Sequence, residues 1–506
     1  MNFARDVLER LPPSGLALIE LARDGTRREW SYGEVSERSA RLAGSLARRG
    51  IGPGDVVMTL IGNRPEWVFT MLACMRIGAV VLPATEQLRA KDLRLRIELA
   101  RPSLIVADER NRAELQDARP VCEVALIPDE ELFAAGPAPA AELEEEEPCL
   151  IVFTSGTAGE PKAVVHAQRY LLGQRLQARH WLDAGPGELV WCTAASGWSK
   201  SARNVFMAPW LSGAAALLHD ARFDHAERLA LIEQERVNVL CMAPTEYRVI
   251  AKRGTLRALP HLRAMVAAGE ALNPGVLSAW HEVTGLEIRD GYGQTETGQM
   301  TGTPPGEKAR PGSMGRALPA VGLLVKHAEL TANPVTIPTF FLGYLGEHVW
   351  RDEDGSWSVK DRRAGPPWRT GDLVREDEDG WFYFEGRNDD VIVSAGYRIG
   401  PFEVESALVG HPAVAEAAAV AAPDAERGSV VRAVVVLREG QAASDELKLQ
   451  LQEHVKRETA PYKYPRIIDF APELPKTASG KIRRVALRAA EPPYARDRGQ
   501  PPESLS

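Results

Sequence analysis

The segment at residues 154–162 has the composition of a loop that binds phosphate. It reads Thr-Ser-Gly-Thr-Ala-Gly-Glu-Pro-Lys and follows Cys149–Phe153, an apolar run typical of a buried strand. Its two glycines permit a tight turn that brings backbone N–H groups close to an anion, and its hydroxyl and ammonium groups supply further donors. The segment is not a Walker A motif, and taken alone it also fits an ordinary surface turn. The candidate phosphate-binding residues are Thr154, Ser155, Gly156, Thr157, Gly159 and Lys162.

Two later segments place carboxylates beside hydroxyl and aromatic groups. Residues 290–298, Asp-Gly-Tyr-Gly-Gln-Thr-Glu-Thr-Gly, offer an aromatic face at Tyr292, a hydroxyl at Thr295 and a carboxylate at Glu296. Magnesium prefers oxygen ligands and is shared with substrate phosphates, so one protein carboxylate is a sufficient ligand. Asp372 follows a Thr-Gly pair, where a lone aspartate is usually a turn residue.

Five segments, in the same order along the chain, resemble those of the acyl-adenylate-forming enzymes. This superfamily includes acyl-CoA synthetases, the adenylation domains of peptide synthetases, and luciferases. The resemblance extends from about residue 30 to about residue 490, and five matches in the correct order exclude coincidence. The matching segments are residues 154–162, 290–298, 368–372, 386–390 and 474–481.

The resemblance implies that the chain binds ATP with Mg²⁺ and forms an acyl adenylate. The family's catalytic lysine corresponds to Lys481, which acts with Thr295 at the α-phosphate and with Glu296 at the metal. A fixed ammonium and a cation stabilise the charge that develops when a carboxylate attacks the α-phosphate. Asp372 would accept hydrogen bonds from both ribose hydroxyls. The other implied ATP-binding residues are Gly269, Glu270, Ala271, Asp290, Gly291, Tyr292, Gly293, Gln294, Arg387 and Arg398.

Within the superfamily, the chain is most similar to the medium-chain acyl-CoA synthetases, through residues 394–401 and 460–466. In those enzymes the first string reaches the active site after the small domain rotates about a hinge, which here corresponds to Asp389. Coenzyme A is therefore the expected acyl acceptor. For Arg427, Lys456 and Tyr464, surface ion pairs and a packed tyrosine are the structural alternative to CoA binding. The implied CoA-binding residues are Ala395, Gly396, Tyr397, Arg427, Lys456 and Tyr464.

The acyl pocket is the part that the resemblance defines least. It is expected to include Trp198, Phe206 and Ala268, although core packing is an equal alternative for a single tryptophan. Lys200 and Arg203 fit a solvated helix face better than a site for a second acidic group on the substrate. The expected substrate is a medium-chain fatty acid or a small aromatic acid.

Three other functions compete with CoA ligation. Amino-acid activation requires an acidic side chain for the substrate's amino group, and residues 192–204 contain none. A non-catalytic nucleotide sensor would lack Glu296, Asp372 or Lys481, and all three are present. A stand-alone adenylating enzyme that loads a carrier protein is the alternative to a CoA ligase.

Strands and helices that alternate along the chain must position these residues. Residues 31–48 form an amphipathic pattern opened by a capping serine, and apolar strand patterns follow at Val56–Ile61, Val80–Pro83 and Leu104–Ala107. This order predicts an α/β fold with helix-flanked sheets and a small mobile α+β domain at the C-terminus. The expected units are an adenylate-forming domain over 1–386, a hinge over 387–390, a catalytic-lysine and CoA domain over 391–490, and a flexible tail over 491–506.

Composition narrows the protein class. A chain of 506 residues requires more than one domain, and a formal charge of −8 disfavours a nucleic-acid partner. Five scattered cysteines favour reduced thiols over disulfides or zinc. No run approaches the ~20 apolar residues that span a membrane, and the charged N-terminus does not resemble a secretory signal. We therefore expect a cytoplasmic enzyme whose partners are a small carboxylic acid, ATP and CoA, with no membrane span. The pattern does not indicate an oligomeric state.

Overall fold

The computed structural model describes residues 1–154, 161–253, 256–270, 272, 274–388, 390–394, 397–424, 427–476 and 481–489. Helices and strands alternate over most of these residues, as the sequence predicts. The α-helices of ten residues or more are Tyr32–Arg48, Pro65–Ile77, Ala90–Ala100, His225–Gln234, Pro244–Arg253, Pro274–Thr284, Pro401–Gly410 and Asp445–Glu458. Shorter α-helices include Phe3–Asp6, Arg112–Ala118, Arg169–Gly173, Ser199–Ala202, Ala208–Leu211 and Arg484–Ala489.

The helix Tyr32–Arg48 begins where its sequence predicts. The backbone N–H of Glu34 donates to the Ser31 hydroxyl at 3.2 Å, and the Glu34 carboxylate accepts from the Ser31 N–H at 2.8 Å. This reciprocal pair satisfies two N–H groups that the helix itself cannot bond. The apolar face of the helix is buried, so the predicted amphipathic helix is confirmed.

A seven-stranded sheet carries the candidate phosphate loop. Its five strands from Pro148–Phe153 to the far edge run parallel, and their residues are nearly all buried, as apolar parallel strands require. Residues 154–162 connect Pro148–Phe153 to the antiparallel strand Ala163–Ala167, so the loop closes a hairpin. In order across the sheet the strands are Gly343–Tyr344, Ala163–Ala167, Pro148–Phe153, Val80–Ala84, Val56–Leu60, Leu104–Asp108 and Glu123–Ile127.

A thirteen-stranded sheet combines a parallel part with an antiparallel part. The parallel strands have their carboxyl ends at one edge, where ligands bind in open α/β sheets. In order the strands are Leu323–Lys326, Glu329–Ala332, Trp368–Glu376, Trp381–Arg387, Ser313–Ala317, Gly298–Gly302, Ile288–Gln294, Ala264–Ala268, Val239–Met242, Leu189–Cys192, Ala215–His219, Leu16–Leu21 and Arg27–Ser31.

The C-terminal part of the chain has its own hydrophobic core. Two long antiparallel strands, Val414–Asp424 and Gly428–Leu437, pair with Ile467–Phe470. Apolar residues between Ile392 and Ile468 pack between this sheet and its helices. A two-stranded ribbon beside it consists of Ile392–Ser394 and Tyr397–Ile399. A second such ribbon, in the N-terminal part of the chain, consists of Val349–Arg351 and Trp357–Val359. A small α+β unit after a large α/β part is therefore confirmed.

Two expectations from composition also agree with the structure. All five cysteines are thiols, and all but Cys122 are buried. In the described part of the chain, no helix combines the length and the apolar character that crossing a membrane requires.

Candidate active site

A cavity of about 1990 Å³ lies between the two sheets and the C-terminal unit. It opens at the carboxyl ends of the parallel strands, and most of the predicted site residues line it although they are far apart in sequence. Residues of this cavity that the sequence predicted are Thr154, Lys162, Trp198, Ala268, Gly269, Glu270, Asp290, Gly291, Tyr292, Gly293, Gln294, Thr295, Glu296, Asp372, Arg387 and Lys481.

Other predicted site residues have different positions. The residues Ser155, Gly156, Thr157, Gly159, Ala271, Asp389, Ala395 and Gly396 lie outside the described residues, as does the side chain of Arg398. Phe206 was expected in the acyl pocket, but it is fully buried in the core, with its ring 5.8 Å from Trp67 and 5.1 Å from Trp210. The assignment of Phe206 to the pocket is therefore wrong.

The Asp372 carboxylate is the centre of a buried hydrogen-bond network. The Tyr292 hydroxyl and the Gln294 side-chain amide, the latter at 2.9 Å, donate to one carboxylate oxygen, and Arg387 lies 3.2 Å from the other. Asp372 and Arg387 are directly opposite each other on adjacent antiparallel strands, which brings their side chains together. The pKa of Asp372 is raised above its usual value, because the effect of burial exceeds the lowering effect of Arg387 and the hydrogen bonds.

Trp368 and Glu329, both near Asp372, help to position the site, a role that the sequence did not predict. Trp368 donates to the side-chain oxygen of Gln294 at 2.9 Å, which fixes the orientation of that amide. Glu329 binds Arg369 and also accepts from the backbone N–H of Gly371 at 3.1 Å, so it shapes the turn that carries Asp372. Trp368 lies within a recognised motif, whereas Glu329 belongs to a distant strand and carries no local signal.

Glu296 is held by a tyrosine that the sequence did not identify. The Tyr344 hydroxyl donates to one oxygen of Glu296 at 2.8 Å. Among the described residues, nothing donates a hydrogen bond to the other oxygen, and Glu296 lines the cavity. Lys162 lies beside this pair, with its ammonium 4.5 Å from the Tyr344 ring centre and 3.0 Å from Glu347. A single available carboxylate oxygen facing the expected phosphates fits magnesium.

Gly269 is needed where Lys200 crosses the end of the strand Ala264–Ala268. Its φ of +104° is unfavourable for other residues, and an added Cβ would lie 2.6 Å from the Lys200 ammonium. That ammonium donates to the carbonyl of Ala268. Burial and the nearby charge of Lys481 lower the pKa of Lys200. Lys200 lines the cavity and Arg203 is only 3 % exposed, so the expectation of a solvated helix face is wrong.

Lys481 reaches the cavity from the C-terminal unit. Neighbouring ion pairs anchor the chain on both sides of it: Lys476 lies 2.7 Å from Glu416, and Arg484 lies 2.8 Å from Glu405. Lys476 also forms an isolated β-bridge with Ile482. These contacts define the position from which the Lys481 side chain enters the site.

The predicted CoA-binding residues that the structure describes, Tyr397, Arg427, Lys456 and Tyr464, lie on the C-terminal unit and do not line the cavity. Tyr397 is exposed and stacks on Tyr462 with ring centres 4.4 Å apart. The Lys456 ammonium lies 4.4 Å from the Tyr464 ring centre and also pairs with Glu453. Arg427 is in the turn between the two long strands. Their role in CoA binding stays a prediction.

The Asp290 carboxyl generates a prediction about pH. Burial raises its pKa to about 8, so the folded protein holds a proton that the unfolded chain releases near pH ~4. The stability from this group is complete below the unfolded pKa and is lost as the pH rises through about 8. Asp290→Asn keeps the shape and removes the titration. Between pH ~5 and pH ~8 the Tm of the natural protein should fall more than that of the variant; parallel profiles would contradict the assignment.

Similarity to known proteins agrees with this geometry. Residues 8–336 match the family model of the AMP-binding enzyme, and residues 403–481 match that of the AMP-binding enzyme C-terminal domain. The chain is 37% identical to acyl-coenzyme A synthetase ACSM3, mitochondrial, of Rattus norvegicus, covering 97% of this chain and 90% of that protein. It is 38% identical to an uncharacterized acyl–CoA ligase, YtcI, of Bacillus subtilis, covering 94% and 93%.

Solved structures show the same fold over nearly the whole chain. The anthranilate CoA ligase AuaEII in complex with anthranoyl-AMP superposes with a TM-score of 0.84 at 28% identity, covering 96% of both chains. A benzoate CoA ligase from Burkholderia xenovorans LB400 gives a TM-score of 0.84 at 27% identity, covering 96% of this chain and 100% of that one. The fold described above is thus that of adenylate-forming enzymes.

Proposed function

The chain belongs to the AMP-binding enzyme family, and we propose that it is an ATP-dependent acyl-CoA synthetase. A carboxylic acid and Mg-ATP give acyl-AMP and pyrophosphate, and the CoA thiol then displaces AMP to give acyl-CoA. The observation that carries this proposal is the convergence of Thr295, Glu296, Asp372, Arg387 and Lys481 on one cavity. The phosphates, the ribose and the metal each require a contact from this set of residues, and the whole set lines the same cavity.

In the first half-reaction the protein binds and orients the nucleotide. Asp372 accepts from the ribose hydroxyls, and its bonds to Tyr292, Gln294 and Arg387 fix the carboxylate before the nucleotide arrives. Such pre-organised polar groups stabilise charge without reorganising during the reaction. Glu296 would hold magnesium, which would neutralise charge at the phosphates. Lys481 and Thr295 face the α-phosphate, where the acid's oxygen forms its new bond and pyrophosphate leaves.

The second half-reaction needs a different arrangement of the C-terminal unit. Tyr397, Arg427, Lys456 and Tyr464 lie outside the cavity in the present arrangement, whereas Lys481 lies inside it. A rotation about Asp389 exchanges these two sets, as a hinge of a few residues permits. The CoA sulfur then attacks the acyl carbonyl carbon, and AMP leaves with the electron pair. No protein nucleophile is required.

We also propose a cytoplasmic location. The five cysteines are thiols, and reducing compartments keep thiols reduced. Relatives with mitochondrial and with bacterial names both match the chain. Fractionation of the source cells, with activity assayed in each fraction, tests the location.

CoA dependence distinguishes this function from its alternatives. We expect AMP release to require an acid, and to turn over rapidly only when CoA is added. A nucleotide sensor would release no AMP with any acid. An enzyme that loads a carrier protein would bind the acyl adenylate without turning it over on free CoA. The measurement is AMP release with acetate, butyrate, octanoate, benzoate and succinate, with and without CoA.

Lys481→Ala should abolish most of the adenylation. Loss of one preorganised group that stabilises transition-state charge reduces kcat by about 10²–10³-fold. ATP–pyrophosphate exchange measures this step without CoA. Lys448→Ala is the matched control, since Lys448 lies on the helix Asp445–Glu458 of the same C-terminal unit, pairs with Asp445 and does not line the cavity. The control should exchange at close to the natural rate with both variants folded, and normal exchange by Lys481→Ala would refute the assignment.

Tyr397→Ala should separate the two half-reactions. Because Tyr397 lies outside the cavity that holds the adenylation residues, exchange should be unchanged. Acyl-CoA formation should fall about tenfold or more, which corresponds to loss of one aromatic contact of about 1.4 kcal/mol. Both rates are measured on the same preparation. Equal losses in the two assays would show that Tyr397 does not act in thioester formation.

A further inference from the structure

Six charged side chains line the part of the cavity that follows the strands Leu189–Cys192, Val239–Met242 and Ala264–Ala268. We call this region the acyl end. Two of its arginines have acidic partners: Arg228 lies 3.6 Å from Glu246, and Arg248 lies 3.8 Å from Glu270. These four residues neutralise one another. The remaining two are Lys200 and Arg203.

Lys200 and Arg203 have no acidic partner in the described part of the chain, where no carboxylate lies within 4.0 Å of either. Lys200 donates to a backbone carbonyl, that of Ala268. Arg203 is 3 % exposed, and its Nε and Nη1 atoms make no hydrogen bond to a described residue. Asp290 does not compensate, because burial raises its pKa and favours the neutral form. A buried guanidinium without a partner is unfavourable, so this site is built for an anion.

The two cations lie at different depths. Lys200 contacts the Ala268–Gly269 wall, and burial and then the nearby charge of Lys481 lower its pKa, so it lies at the reacting end. Arg203 follows one helical turn later on the same face. The pKa of His166, a core residue that is 0 % exposed, is lowered by burial, then by Arg169 and then by Arg203, so Arg203 lies near it. Arg203 therefore belongs to the inner, closed end of the acyl region.

We propose that the substrate is a short dicarboxylic acid whose second carboxylate binds Arg203. This inference rests on the proposed acyl-CoA synthetase activity and specifies its substrate class. The carboxylate beside Lys200 and Lys481 is adenylated, and the distal carboxylate accepts hydrogen bonds from the Arg203 guanidinium and is unchanged by the reaction. Guanidinium groups bind carboxylates with two parallel hydrogen bonds, which fixes the orientation of the acid.

The same geometry predicts that a monocarboxylic acid is a poor substrate. A fatty or aromatic acid would fill the acyl end while leaving Arg203 buried and unpaired. Sites that hydrogen-bond a substrate group reject analogues without it far more strongly than apolar pockets reject a missing methylene. The expected substrate is therefore different from the medium-chain or aromatic acid that the sequence indicated.

The natural protein provides the first test, through ATP–pyrophosphate exchange with acids of matched length. Succinate, glutarate and adipate are compared with butyrate, pentanoate, hexanoate and the monomethyl ester of succinate. We expect kcat/KM for the best dicarboxylate to exceed that of its matched monocarboxylate by ~100-fold or more. Exchange with monocarboxylates and none with dicarboxylates overturns the dicarboxylate inference alone. No exchange with any acid overturns the proposed function and this inference with it.

Variants of Arg203 provide the second test. Arg203→Met removes the charge at similar length and should reverse the preference toward monocarboxylates, while Arg203→Lys should retain part of the preference for dicarboxylates. Arg222→Met is the matched control, since Arg222 lines the same cavity but is exposed, and it should leave the preference unchanged. An equal loss for both acid classes in Arg203→Met, with Tm unchanged, would refute recognition of the second carboxylate. If Arg203→Met does not fold, the acid preferences of Arg203→Lys and of the natural protein still test recognition of the second carboxylate.

Discussion

The buried carboxylate of Asp372 connects parts of the molecule that would otherwise be independent. Its partners Tyr292 and Gln294 are on the last parallel strand of the large sheet, and Arg387 is on the final strand before the C-terminal unit. A carboxylate this deeply buried is tolerated only when donors surround it. The same donors therefore hold the antiparallel part of the sheet in register with the parallel part. The candidate ribose-binding carboxylate and the junction of the two regions therefore depend on one set of contacts.

The chain positions the rest of the site with two different kinds of loop. The carboxyl ends of parallel strands supply Ala268, Gly269 and the segment at 290–296, as is usual for open α/β sheets. The loop at 154–162 is instead the closure of an antiparallel hairpin, so its ends are fixed together by hydrogen bonds between Thr154 and Lys162. A hairpin closure needs no helix N-terminus, which agrees with the absence of a Walker A pattern.

Sequence patterns predicted the features that depend on short stretches of chain. The strand at Leu104–Asp108, the capped helix at Tyr32–Arg48 and the small C-terminal unit follow from local periodicity, whereas the motif residues converge on one cavity only through the tertiary fold. The environment of Lys200 and Arg203 was mispredicted for a physical reason. Their helical segment is short and mostly buried, and its open face lines the cavity, so charged residues there do not mark a solvent face.

Contacts between distant segments account for the other differences. Tyr344, Glu329 and Trp368 act through hydrogen bonds to residues at least 40 positions away, and no local pattern encodes such pairs. Phe206 was misplaced because an aromatic residue near a pocket has the same sequence signal as one in the core. Its two tryptophan neighbours come from separate helices, Pro65–Ile77 and Ala208–Leu211.

The bond between Tyr344 and Glu296 links the candidate metal ligand to the strand that follows the candidate phosphate loop. Tyr344 is in the strand Gly343–Tyr344, which pairs with Ala163–Ala167, the strand that comes directly after residues 154–162. A displacement of Ala163–Ala167 would therefore be transmitted through one hydroxyl to the Glu296 carboxylate. The position of that carboxylate thus depends on the backbone of a hairpin more than 120 residues earlier in the chain.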